Sequence, residues 1–496
     1  MDKTTKINIA SNLLGNGVSA VLGIVFVPIY IKYIGTEGYG LLGLFATVQS
    51  AFYLLDMGLS TTLNRELARF SANVFENKAK MLDTTRSFEI AFWGVSILGA
   101  IGSIIVSYFL AQYWVKPTHF SRDDIFLYFT LLSISFMLFL PRGLYAGGLL
   151  GLQKHLAMNI ATITGAIVKY IGAIGVLAFI EATPRAFFGW QIFASLFQTG
   201  LMALVLWYYL PGSFFRACFN LEILRGGKKF ALGLTGISLT ALVLTQMDKV
   251  ILSKILTLEQ FGYYTFASVM GLGLFQLIAP IFQTYFPKIS QDFATGDTAQ
   301  LAKTYHQASK IMAVSLIPLA TVLAFFSKPI IQIWTNNGAL VENTYLIAAI
   351  LTLGTALNGL VNIPYTLSLA GGRPDLVVKT NIVLIVLLVP LTIIGANMYG
   401  GVGASMGWLI LNVLYILFFI NIVHKRFLTT EKAAWFLKDI FPVLILSFLI
   451  SGIGFLFLNK MLPSVWMLGA IGLVLGFAVL ASVLVVFPKL RIFKYS

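Results

Sequence analysis

Five charged side chains fall well inside apolar runs long enough to cross a membrane, away from the ends: Asp56, Arg142, Lys169, Asp248 and Lys249. At bilayer depth such a group costs about 2.5–3.5 kcal/mol on insertion scales, so it persists only where it faces water or a partner. Lys169 and Asp248 lie near the middle of their runs and cannot reach an interface, which favours a functional role over simple ion pairing. Asp56 and Arg142 lie nearer one end, where snorkelling explains them equally well. Lys249 reads first as the neutralising partner of an acid on another helix. Three cations with two acids leave a hydrated cavity mildly positive, which suits a pyrophosphate or an acidic sugar and suits a cationic drug poorly. Asp56 or Asp248 could hold a coupling cation, H+ or Na+, or serve as counter-ion to Arg142 or Lys169. Asn358 and Asn362 are four residues apart and share a helix face leading into Pro364. Interhelical hydrogen bonding is their first reading and sugar contact their second.

The elements that carry these residues follow from composition. The 496 residues are 58% hydrophobic and 11% charged, with a mean hydropathy of +0.87, too apolar for a water-soluble globule. Apolar blocks fall near 8–31, 39–63, 88–111, 125–149, 157–180 and 187–210, then 233–257, 262–285, 310–327, 345–369, 376–397 and 402–423, and finally 440–459 and 464–487. A membrane helix needs about 20 such residues, so the expectation is an all-α polytopic membrane protein of about fourteen transmembrane helices. The first block follows Lys3 and Lys6 without a small-residue cleavage pattern and reads as a helix, not a signal peptide. Gly403 and Gly407 form a small-xxx-small pair that predicts close helix packing. Of the 34 Lys and Arg residues, the joints on the side opposite to the N-terminus hold only Lys32, Lys116, Arg122, Arg185, Lys254, Lys328 and Lys460. Positive joints resist translocation, which predicts cytoplasmic termini. The same asymmetry accounts for the formal charge of +15 by contact with anionic lipid rather than nucleic acid.

An internal repeat organises the blocks. Lys32, Glu37 and Gly40 recur 222 residues later as Lys254, Glu259 and Gly262, and Asn159-Ile160 recurs in the same register as Asn381-Ile382. Ala146-Gly147-Gly148 recurs nearby as Ala370-Gly371-Gly372. An even number of helices per copy predicts two parallel six-helix lobes, 1–215 and 216–428, related by a pseudo-two-fold axis along the membrane normal. Residues 429–496 add a C-terminal helix pair and tail, and the cleft between the lobes is the expected place for a ligand. Other chemistry is excluded. No G-x-x-x-x-G-K-[ST] segment supports ATP hydrolysis. The single cysteine, Cys218, rules out an intrachain disulfide and a multi-cysteine zinc site. His119, His155, His306 and His424 are expected in joints, which argues against a histidine relay or metal cluster. No joint is long enough for a soluble catalytic domain.

The segments NLLGNGVSAVLGIVFVPIYIKYIGTEGYGLLGLFATVQSAFYLLDMGLSTTLNRELAR and TQMDKVILSKILTLEQFGYYTFAS, and more loosely FPKISQDFATGD and GGRPDLVVKTN, carry a family likeness. Across essentially the whole chain the sequence resembles the polysaccharide (O-antigen repeat unit) flippases of the multidrug/oligosaccharidyl-lipid/polysaccharide exporter superfamily. The resemblance implies alternating access in a bacterial inner membrane, no ATP, and an undecaprenyl-pyrophosphate-linked glycan as cargo. It also implies a final helix pair that borders a path for the lipid tail. Lys169, Arg142 and Lys249 would then hold anionic groups, while Asp56 and Asp248 couple the motion or set the cavity charge. Membrane lipids and polysaccharide-assembly proteins are the expected partners. Three alternatives stay open: a multidrug antiporter, a peptidoglycan-precursor flippase, and a membrane glycan polymerase or ligase. The last would need acids, arginines or histidines clustered on a long outer joint, and the longest such joints, near 112–124 and 328–344, are short and unclustered.

Overall fold

The computed structural model describes residues 17–19, 21–52, 58–212, 214–224, 235–460 and 463–487. Asp56, the basic stretch 225–229 and the basic tail lie outside the described residues. In lipid, backbone polar groups must be satisfied within the segment that carries them, and the described chain is accordingly helical almost throughout. In order the main helices are α1 (Val27–Phe52), α2 (Leu59–Phe70), α3 (Val74–Phe109), α4 (Arg122–Phe139), α5 (Arg142–Gly151), α6 (His155–Phe179), α7 (Pro184–Tyr209) and α8 (Thr235–Ile255). There follow α9 (Leu258–Gly273), α10 (Phe275–Thr295), α11 (Thr298–Phe325), α12 (Ser327–Thr335), α13 (Gly338–Ala370), α14 (Pro374–Phe427), α15 (Phe441–Leu458) and α16 (Val465–Val486). Among the described residues ten helices are long and apolar enough to cross a membrane, or eleven if the bent pair Gly17–Val25 and Val27–Phe52 is taken as one. The protein is thus an all-α, multi-pass membrane protein.

The blocks expected at 376–397 and 402–423 emerge as the two helical halves of α14, which follow each other without a loop and meet at a sharp break at Gly400 (φ 58, ψ −135). A positive φ of this kind is open to glycine and strained for other residues. The two halves double back on each other. A Cβ on Gly403 would sit 1.9 Å from the Gly395 carbonyl oxygen, and one on Gly407 would meet Thr392 Oγ1 at 3.1 Å. The small-residue pair therefore does what its spacing predicts, letting two backbones touch.

The chain forms two compact units, residues 1–242 with 257–262, and residues 243–256 with 263–496. In the first, α4 packs on α3 and α7, and α6 lies along α7. Serine pairs tie these helices together: Ser103 to Ser133 at 2.8 Å and Ser135 to Ser195 at 2.8 Å. Glu37 lies buried and accepts from the backbone N–H groups of Thr118 (2.7 Å) and His119 (2.8 Å). The Gly40 and Gly262 backbones pack without a gap, since a Cβ on Gly262 would lie 2.0 Å from the Thr36 carbonyl oxygen. In the second unit α13 packs on α11 and α14, while α15 and α16 pair and lean on α11. Three histidines expected in joints stand on helices instead, His155 at the first position of α6, His306 within α11 and His424 within the last turns of α14. The helices run past the apolar blocks into polar sequence, where hydropathy alone places their ends too early.

Candidate functional site

In the first unit two of the predicted cations converge. α4 ends at Phe139. Pro141, with no N–H to lose, starts the next helix and makes Arg142 its first residue. The Arg142 guanidinium carbon lies 4.7 Å from the Phe139 ring centroid, and Lys169 Nζ, from α6, lies 5.4 Å from the same ring. Lys169 is also 5.7 Å from the Tyr170 ring. Aromatic faces attract cations, so one ring holds both side chains in place. Lys169 has no ion pair among the described residues. The ring that joins them was not singled out in the sequence, where Phe139 is one aromatic among the 41 phenylalanines.

Asp248 and Lys249 fall in the second unit on α8 and do not pair with each other. Asp248, 9% exposed, accepts a 2.5 Å hydrogen bond on Oδ2 from the hydroxyl of Tyr264. Its Oδ1 is buried without a hydrogen-bond partner. A cavity of about 70 Å3 lies beside it, lined among others by Thr245, Gln246, Ser268 and Thr355. A carboxylate with one oxygen unspent beside hydroxyls and an amide is an arrangement that can take up a proton or a small hard cation. Lys249 turns to its own helix, donating to the Thr245 carbonyl (3.4 Å) and to Gln246 Oε1 (3.3 Å). Tyr264 was invisible in the sequence, since it lies sixteen residues on and in the next helix.

The asparagines serve helix packing. Asn358 Nδ2 donates to Oδ1 of Asn412 on α14 at 2.9 Å, and Asn412 donates to the Trp408 carbonyl at 2.8 Å. Asn362 Nδ2 donates to the Asn358 carbonyl on its own helix at 3.1 Å. A polar cluster that sequence reasoning missed surrounds His306, whose Nδ1 lies 2.5 Å from Asp439 Oδ2 and whose Nε2 lies 3.0 Å from Glu431 Oε2. Its acids are 133 and 125 residues away in sequence, beyond the reach of any local pattern.

Residues 6–293 match the family described as polysaccharide biosynthesis protein, more than half of the chain. The chain belongs to that family. Arg142, Lys169, Asp248 and Lys249 all lie in the matched segment, and the two asparagines lie beyond it. Among curated proteins the chain is 25% identical over 406 residues to the "Putative O-antigen transporter" of Shigella flexneri, covering 81% of this chain and 94% of that one. Among solved structures it is similar to lipid II flippase MurJ in an inward closed conformation, with a TM-score of 0.69 and 16% identity over 98% of this chain and 99% of that one. It is also similar to an inward-facing multidrug resistance MATE family transporter of the MOP superfamily, with a TM-score of 0.66 and 13% identity over 82% and 95%. The fold is therefore that of the MOP-superfamily membrane transporters, and neither fold nor relatives indicate an enzyme.

Proposed function

We propose that this member of the polysaccharide biosynthesis family is a flippase. It carries a polyprenyl-pyrophosphate-linked oligosaccharide from the cytoplasmic to the outer leaflet of a bacterial inner membrane by alternating access. In this reading the chain has fourteen helices in two six-helix lobes, 1–215 and 216–428, with helices 13 and 14 in 429–496. Both termini are cytoplasmic, and the basic joints dock polysaccharide-assembly proteins.

The observation that carries the reading is the pair of cations, Arg142 and Lys169, gathered on Phe139. An ammonium held by an aromatic face at bilayer depth, with no ion pair among the described residues, is matched to a diphosphate and mismatched to a cationic drug. The pyrophosphate and glycan pass through a hydrated path while the polyprenyl tail stays in lipid. Asp248 supplies the coupling site, its spare oxygen taking H+ or Na+ beside the small cavity, and Lys249 lends positive charge nearby. Asp56 remains a second candidate acid.

The test is reconstitution in vesicles with a fluorescent lipid-linked glycan, comparing wild type with Lys169→Ala and Lys169→Arg. Flipping at least about tenfold slower in the alanine variant, a loss of ~1.4 kcal/mol, with partial recovery by arginine, is the expected result. Unchanged flipping in Lys169→Ala overturns the site. Equal transport of lipid II, or drug efflux without glycan flipping, would replace the cargo by that of a peptidoglycan-precursor flippase or a multidrug antiporter.

A further inference from the structure

At one end of the second unit, α11, α12, α13, the end of α15 and the start of α16 enclose a cavity of about 820 Å3. The volume falls in the range of small-molecule sites. Its lining is of two kinds. Phe325, Phe455 and Met467 give an apolar surface, and Lys328, Gln332 and Asn459 give a polar one. Met467 also belongs to the packed cluster with Val322, Phe326 and Ile471, so the apolar wall is built on the unit's core. The helix pair beside the cavity presents Phe448, Leu456, Phe457 and Trp466 outward, as a hydrocarbon-facing surface must. The opening thus joins a lipid-facing wall to a polar rim, and an amphiphile is the ligand class that satisfies both.

The rim carries one charge of each sign. Lys328 Nζ pairs with Glu342 Oε1 at 2.7 Å, with side chains 53% and 61% exposed. Glu342 stands one turn before Tyr345 and Leu346, which line the cavity, and the Lys328 ammonium also lies 5.3 Å from the Tyr345 ring centroid. A net-neutral rim gives no advantage to an anionic headgroup, which would gain Lys328 and be repelled by Glu342. A phosphate with a primary ammonium satisfies both residues, whereas a choline offers Glu342 no N–H. We propose that this cavity binds an aminophospholipid of the surrounding leaflet. Its phosphate lies on Lys328, its ammonium on Glu342, and the upper part of its chains on Phe325, Phe455 and Met467.

The experiment uses the full-length protein purified in detergent and titrated separately with short-chain phosphatidylethanolamine, phosphatidylglycerol and phosphatidylcholine. Binding is read by native mass spectrometry and by thermal shift. Phosphatidylethanolamine is expected to bind about fivefold more tightly than either other lipid, the scale of one exposed ion pair. Glu342→Gln erases the preference over phosphatidylcholine, and Lys328→Gln weakens all three. Ala349→Trp, which fills the cavity, removes binding while leaving the lipid-free melting temperature unchanged, and Leu346→Trp replaces it if that variant does not fold. Equal binding of the three lipids, a preference for phosphatidylglycerol, or unaltered selectivity in Glu342→Gln overturns the proposal.

Discussion

Replacing His306 by alanine is expected to be among the more costly single changes in the second unit, because of what it leaves behind. Asp439 is fully buried on the π-helical turn Trp435–Ile440 that leads into α15. Its Oδ2 faces His306 Nδ1 at 2.5 Å, and Lys310 Nζ is 3.9 Å from Oδ1. Both imidazole nitrogens face carboxylate oxygens, and a neutral imidazole has only one N–H. The arrangement therefore calls for an imidazolium or for a proton on one of the acids. Removing one partner of a buried pair costs about 3–5 kcal/mol when the other charge is stranded. Lys310 remains nearby and the stranded acid can take up a proton, so about 2–3 kcal/mol is the expected loss. The assay is unfolding of the purified protein in detergent, followed by intrinsic tryptophan fluorescence, to which the buried Trp435 is one of eight contributors. The double variant His306→Ala with Asp439→Leu should recover most of the loss, since it leaves no buried charge. A single variant within about 1 kcal/mol of wild type, or a double variant no better than the single one, would refute the reasoning. Acid provides a second handle. The hydrogen bond from His306 holds Glu431 below the usual carboxylate range. A depressed folded value means a contribution present at neutral pH and lost as pH falls through that lowered value. At 29% exposure the contribution is small, and Glu431→Gln should flatten the acid limb of the stability curve with little change at neutral pH.

Two further changes probe Asp248 and the repeat. Tyr264→Phe removes the hydroxyl on Asp248 Oδ2 and should cost about 1–3 kcal/mol in the same unfolding assay, the price of an unsatisfied buried acceptor. A wild-type melt would show that the tyrosine does not hold the carboxylate. Gly262→Ala drives a Cβ to 2.0 Å from a backbone oxygen and should cost about 1–3 kcal/mol, whereas Gly94→Ala, with nothing within 4 Å, should be neutral or slightly stabilising. Similar melts for these two glycine variants would remove the close contact from the account.

The helices were legible because lipid imposes one strong rule on the sequence, an apolar run of sufficient length, and each expected block outside the undescribed residues meets a helical segment. The breaks inside long helices were not. Gly400 does not differ from other glycines until its φ is known: the two blocks of α14 were legible, but not that they meet at one glycine without a loop. The charged residues were legible for the energetic reason that makes them rare, but their partners were not. Phe139 and Tyr264 are ordinary aromatics whose meaning comes from a neighbouring helix. His306 sits among polar residues near the start of α11, so its distance from the apolar block hid a buried cluster.

The repeat separates what the fold requires twice from what the chemistry requires once. Its matched positions do structural tasks: Glu37 binds the backbone N–H groups of a loop, and Gly40 and Gly262 let two backbones meet. The charges follow a different rule. Shifted by 222 residues, Arg142 falls on Pro364, Lys169 on Leu391, Asp56 on Ile278, Asp248 on Phe26 and Lys249 on Val27. None of the five has a charged counterpart. A charge needed to stabilise a six-helix unit should appear in both copies, because both copies solve the same packing problem. A charge at bilayer depth that appears once is carried against its insertion cost for something the packing does not demand. That asymmetry sets Lys169 and Asp248, one in each copy and different in sign, apart from the positions the two copies share, which is what the proposed roles in cargo and ion binding require. Moving either charge to its counterpart, as in Lys169→Leu with Leu391→Lys, should preserve composition and abolish flipping in the reconstituted assay. Retained flipping would mean that the two copies are functionally interchangeable and that the single occurrence of each charge carries no information.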